Sequence, residues 1–224
     1  MVNLNLLLYL SITVPFGMLL LICRGSARRL SAFFLLGTTA ALFCGELNGI
    51  LVRILPFEIN YYSANLAPIT EEICKAIPVV FYALAVMPDR QKLMEVSAAT
   101  GIGFAVLESA YVFASSAVPV QLTTALLRAF GAGMMHGVCT LAVGFGMSFV
   151  SRIRSVYFAG TLALLSVAFV FHSTYNSLVL SGYTGIAFLL PSVTLLTAFL
   201  LFRYKKKQEK ETDSEPKPEP QETA

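Results

Sequence analysis

The chain has 224 residues, of which 56% are hydrophobic and only 13% charged, and its mean hydropathy is +0.72. A water-soluble domain of this length has no use for so much apolar surface, so soluble globular classes are excluded. The formal net charge of +3 falls at the ends of apolar runs rather than along one face, which argues against a nucleic-acid-binding surface.

A bilayer core of about 30 Å takes about 20 apolar residues per helix. Runs of that kind fall at 2–23, 30–54, 66–87, 93–115, 122–150, 156–180 and 186–202. They are continuous rather than alternating, which favours helices over a barrel. The pattern predicts an all-α, polytopic membrane helical bundle of about seven transmembrane spans over residues 1–203. The first run has no basic n-region and is long for a signal peptide, so it reads as a membrane anchor. Residues 204–224 hold Glu, Lys, Pro, Ser and Thr with no apolar run, the composition of a disordered charged tail.

Basic residues set the expected orientation. Arg24, Arg28 and Arg29 follow the first span, Arg90 and Lys92 the third, Arg152 and Arg154 the fifth, and Arg203 and Lys205 to Lys207 the last. The alternate loops, near 55–65, 116–121 and 181–185, have none. The positive-inside rule then places the N-terminus outside and the C-terminus in the cytoplasm. Cys23, Cys44, Cys74 and Cys139 lie inside spans without CxxC spacing, so neither a disulfide framework nor a zinc knuckle follows. Asp89, after Pro88, reads as a solvated turn residue.

Against this background the third span is anomalous. Ala67 to Lys75 places Glu71, Glu72 and Lys75 in a membrane helix, where each ionised group costs about 2.5–3.5 kcal/mol on insertion scales. Glu71 and Lys75 are four apart and share a helix face, and Lys75 is positioned to neutralise one carboxylate and leave the other free. Pro68 suits the first turn, and Pro78 is expected to kink the helix.

At a rise of 1.5 Å per residue, Glu71, Glu72 and Lys75 lie roughly 7–14 Å below the outer boundary, Glu108 about 10 Å, and His172 and Asn176 roughly 6–12 Å. His136 joins this layer at about 12 Å if Arg128 snorkels to the outer interface. Glu46 and Asn48 fall at a similar level, where interhelical hydrogen bonding accounts for them. Cys139, near His136, reads as core packing. Glycines crowd the fourth and fifth spans, among them Gly101, Gly103 and Gly137, as expected for close helix packing.

Glu71-Glu72-x-x-Lys75 after Ala67-Pro68 resembles the first motif of the PrsW family of intramembrane proteases. Gly103-Phe104-Ala105-x-x-Glu108 resembles the second, His136-x-x-x-Thr140 the third and His172-x-x-x-Asn176 the fourth. Ser109 stands where Asn often follows the second-motif glutamate. The family is distantly similar to the CAAX-processing membrane endopeptidases.

The resemblance implies peptide hydrolysis in the membrane, with Glu71, Glu72, Glu108, His136 and His172 as the catalytic group. By that analogy Glu71 is the general base, with Glu108 or His136 in the partner's place. His172 and Asn176 stabilise the oxyanion, and Lys75 holds the acidic pair in register. It also implies a bacterial cell membrane, contact with lipid, and a single-span substrate such as an anti-sigma factor.

No cofactor is required by this reading. The nearest alternative is a zinc endopeptidase with Glu71, Glu108, His136 and His172 as ligands, although no HExxH is present. A proton-coupled transporter would use the same residue types, but two matching halves with broken helices are not evident. A non-enzymatic scaffold would need all of these groups to act only as interhelical glue.

Overall fold

A computed structural model describes residues 4–214 as a bundle of long helices, with no strand among the described residues. Helix α1 spans Leu4–Ile22 and α2 Gly25–Ile54. One helical turn, α3 (Ile59–Tyr61), runs into a π-helical turn at Tyr62–Leu66 and then into α4 (Ala67–Val86). The remaining helices are α5 (Arg90–Ala114), α6 (Leu122–Val150), α7 (Tyr157–Leu180) and α8 (Thr184–Ser214). Six of these are long and apolar enough to cross a membrane. The exception among the long helices is α4, whose twenty residues include Glu71, Glu72 and Lys75.

Local signals explain the boundaries. Pro68 sits in the first turn of α4, where its missing N–H costs nothing. Met87, in the left-handed region at φ 45°, ends that helix ahead of Pro88. The Asp89 carboxylate then caps α5 by accepting from the Lys92 backbone N–H at 2.9 Å. Lys92 holds the Asp89 carboxyl below its ordinary value, chiefly by a side-chain hydrogen bond. Pro78 is accommodated within α4, which continues to Val86.

Two segments differ from the sequence expectation. The stretch near 55–65, expected as a loop, is largely helical. Glu58 caps α3 by accepting from the N–H groups of Asn60 and Tyr61, and the π turn is tied to α2 by the Tyr62 hydroxyl donating to Asn48 Oδ1 at 2.8 Å. The last helix continues past Arg203 to Ser214, through a Lys-, Gln- and Glu-rich stretch of good helix formers. The rest of the expected tail, 215–224, lies outside the described residues.

The core is built around α5, which packs along α2 on one side and α6 on the other, while α4 lies against α2, α5, α6 and α7. Val79, Leu93, Val96, Met135, Val143 and Met147 are almost fully buried at these contacts. The approach of α5 to α6 depends on Gly101. A Cβ there would lie 2.5 Å from the His136 carbonyl oxygen. The outward faces are apolar, as at Phe81, Phe158 and Leu21, the pattern of helices solvated by lipid.

Candidate active site

The start of α4 lies at the same end of the bundle as the C-terminal ends of α5 and α7 and the N-terminal half of α6. One and a half turns of α4 therefore face α5, α6 and α7 at once. The acidic pair of α4 enters this space with Lys75. Glu72, Lys75, His136 and His172 are each 1% exposed or less, and Glu71 is 9% exposed.

Lys75 is the hub. Its ammonium lies 2.6 Å from Glu72 Oε1 and 2.7 Å from His136 Nδ1, with the Phe104 ring 4.8 Å away. The neutralised carboxylate is therefore that of Glu72, three residues before the lysine, and not that of Glu71, four before it. Glu72 Oε1 also lies 2.7 Å from His172 Nδ1. On the far side, His136 Nε2 lies 2.7 Å from Glu108 Oε2, and Arg128 donates to Glu108 Oε1 at 3.0 Å.

These partners assign both imidazole tautomers. An ammonium has no lone pair, so Lys75 donates to His136 Nδ1, and the imidazole hydrogen sits on Nε2, donating to Glu108. An ionised carboxylate has no hydrogen, so His172 donates from Nδ1 to Glu72 and keeps its Nε2 lone pair. That lone pair faces Glu71 Oε2 at 3.6 Å. Glu71 Oε2 is buried and makes no hydrogen bond, as does the second oxygen of Glu72. Two acceptors converging without a donor between them suit a water, which can give one hydrogen to each.

Six residues expected from sequence, Glu71, Glu72, Lys75, Glu108, His136 and His172, thus form one connected cluster drawn from four helices. Asn176 lies outside it: its amide donates to the Ser63 carbonyl at 3.1 Å and pins the π turn to α7. Arg128 corrects an expectation. Its guanidinium turns inward to Glu108 instead of snorkelling to the interface, and its side chain is 26% exposed. Only the fold reveals that Arg128 of α6 and Glu108 of α5 meet.

Phe104 is a further missed contributor, 5.1 Å from the His136 ring and beneath the lysine. Its place beside Glu108 in the second motif was the available signal. Asn48 acts as the interhelical glue expected of it, accepting from Thr70 Oγ1 at 2.6 Å as well as from Tyr62. Cys139 packs in the core against Met135 and the Ala168 carbonyl.

Donor atoms of Glu71, His136 and His172 all lie within 4.8 Å of one another. This His/His/Glu set, with the orphaned Glu71 oxygen, fits a zinc ion in kind. Glu71 and the His172 Nε2 lone pair are ready donors, whereas both nitrogens of His136 are engaged.

A family model described as PrsW family intramembrane metalloprotease matches residues 25–204. No curated protein and no solved structure matches the chain.

Proposed function

The chain belongs to the PrsW family of intramembrane proteases, and from that premise we propose that it hydrolyses a peptide bond of a single-span membrane protein, with Glu71 as the general base. The carrying observation is the convergence of the unpartnered Glu71 Oε2 and the His172 Nε2 lone pair at 3.6 Å. A water held between them gives one proton to Glu71 while its oxygen attacks the substrate carbonyl carbon. Its other hydrogen stays on the attacking oxygen, hydrogen-bonded to the His172 Nε2 lone pair. As the C–N bond breaks, Glu71 passes its proton to the leaving nitrogen. General-base assistance of this kind contributes about 10²–10⁴ in rate.

The other residues hold these two in place. Glu72 fixes the His172 tautomer and ring. Lys75 neutralises Glu72 and so leaves Glu71 as the free base. Glu108, held by Arg128, orients His136 against the lysine. Asn176 supports the site by fastening α7 to the π turn, and its expected contact with the oxyanion requires exchange of the Ser63 bond.

The excess of basic residues at the opposite end of the bundle, Arg24, Arg28, Arg29, Arg90, Lys92 and Arg152 against Arg53 and Arg128 at this one, supports a site in the outer half of a bacterial cell membrane. An anti-sigma factor is one substrate class that fits that position.

A second reading rests on the same three donors. Glu71, His136 and His172 would hold a zinc ion, which when bound lowers the pKa of its water toward neutrality and polarises the carbonyl.

The deciding experiment uses purified protein in vesicles with a tethered single-span substrate. Glu71→Gln and His172→Ala are expected to abolish cleavage while the protein stays folded. Cleavage that survives both substitutions refutes the site, and proton flux without any cleavage selects a transporter. Activity lost to a chelator and restored by zinc selects the zinc reading, and chelator-resistant cleavage selects the metal-free one.

A further inference from the structure

We infer that α1, α2 and α5 enclose a hydration pocket that admits water to Glu71, an inference that rests on the proposed hydrolytic role of that residue. A cavity of about 60 Å³ lies between these helices and reaches both Glu71 and Glu108. Its volume has room for about two waters at the share each occupies in the liquid.

The lining changes character along its length. At the inner end are Cys44, Phe104 and Glu71, all buried. Asn48 lies between, and Gly45 and Tyr111 form an exposed rim with Asn5 of α1. The pocket therefore runs from the surface of the bundle to the Glu71 side chain. Three larger grooves, of about 550, 450 and 430 Å³, run along α7 and between α6 and α8 and touch none of the network residues.

The chemistry of the lining suits water. A buried site holds water when it has room and about two to four polar partners. Glu71, Glu108, Asn48 and Tyr111 bring acceptors and donors to one small space. A peptide segment would not fit in 60 Å³, so the substrate reaches the site by another face and the two reactants arrive separately.

The wall formed by α1 is thin. That helix has no buried residue, lies outside the matched residues 25–204, and is tied to α2 by Tyr9 Oη to Thr39 Oγ1 at 3.0 Å and by Asn5 to Glu46 at 3.4 Å.

Hydroxyl-radical footprinting by X-ray radiolysis tests this directly, because radicals generated from bound water modify adjacent side chains even where bulk solvent does not reach. Cys44 and Cys139 make a matched pair, 1% and 2% exposed, and only Cys44 lines the pocket. The whole protein in detergent is irradiated and each cysteine quantified by mass spectrometry. Cys44 is expected to be modified several-fold faster than Cys139. Equal rates overturn the inference.

A second measurement uses Gly45→Val. A Cβ at Gly45 lies 3.5 Å from the Asn5 amide, an ordinary contact, so the variant is tolerated while its methyl groups narrow the rim. Its expected signature is slower Cys44 modification together with a several-fold fall in kcat at unchanged KM. A changed KM with unchanged labelling marks the pocket as part of the substrate path and refutes the inference. Glu71→Gln separates the two claims. It should keep the Cys44 labelling and lose cleavage; labelling in a wild-type protein that never cleaves would leave the pocket standing and remove the protease.

Discussion

Helices α1 and α4 are almost the same length, nineteen and twenty residues, and bury opposite things. Helix α1 is among the most apolar, with a hydropathy of 2.0, and has no buried residue. Helix α4 carries three charged groups and buries eight residues, all three charges among them. In water the order would be reversed. In a bilayer, apolarity only makes a helix soluble in lipid; a polar group finds partners only among other helices. Position in the bundle is thus set by the few residues that lipid rejects.

The comparison can be broken most severely at its polar side. Lys75→Met leaves Glu72 buried beside two imidazoles without its cation. Breaking a buried pair in this way costs about 3–5 kcal/mol, read as a large fall in thermal stability in detergent. Glu72→Gln combined with Lys75→Met is expected to recover much of that loss without recovering activity. If the single and double variants unfold alike, the ammonium is not the hub described above.

A smaller effect is expected at Gly101. Leucine there forces α5 away from the His136 carbonyl, and overpacking of this kind costs about 1–3 kcal/mol. The accompanying loss of the His136–Glu108 contact lowers kcat as well. Arg128→Gln ranks next, at about 1 kcal/mol for a partly exposed ion pair. Its effect is expected on cleavage more than on folding, since it frees Glu108. At the apolar side, Leu21→Ala on α1, 82% exposed, should stay within about 0.5 kcal/mol. A large effect there would mean that α1 is covered by something other than lipid.

Much of the bundle was legible because lipid makes hydropathy a direct measure of placement. The apolar runs locate the long helices to within a few residues except at the end of α8, which continues to Ser214, and Arg and Lys mark the turns at one end. The site was legible for a related reason: Glu71, Lys75, Glu108 and His172 fall near one depth when each helix is measured from its end, whereas His136 lies deeper by that measure and is singled out by its motif. What sequence could not supply was azimuth. Depth puts Lys75 level with two carboxylates, and only the turn of α4 toward α6 selects Glu72 and passes the same ammonium to His136. Arg128 failed for that reason too, since a snorkelling arginine and one that reaches inward have the same position in the chain. The π turn at Tyr62–Leu66 leaves no compositional trace; it depends on Asn48 and Asn176, which arrive from α2 and α7.

The composition of α4 also has a consequence for how the protein is made. At the centre of a lone helix Lys, Asp or Arg each weigh about 2.5–3.5 kcal/mol against membrane insertion, and α4 carries three ionisable groups within five positions. It cannot rely on its own partition into lipid as α1 can. Its insertion is coupled to that of its neighbours, because the groups that hydrogen-bond its Lys75 and Glu72, His136 and His172, lie on helices synthesised later. Until α6 and α7 emerge, α4 has only Lys75 to offset its two glutamates. Assembly of the buried polar cluster and integration of this helix are therefore one late step of biogenesis.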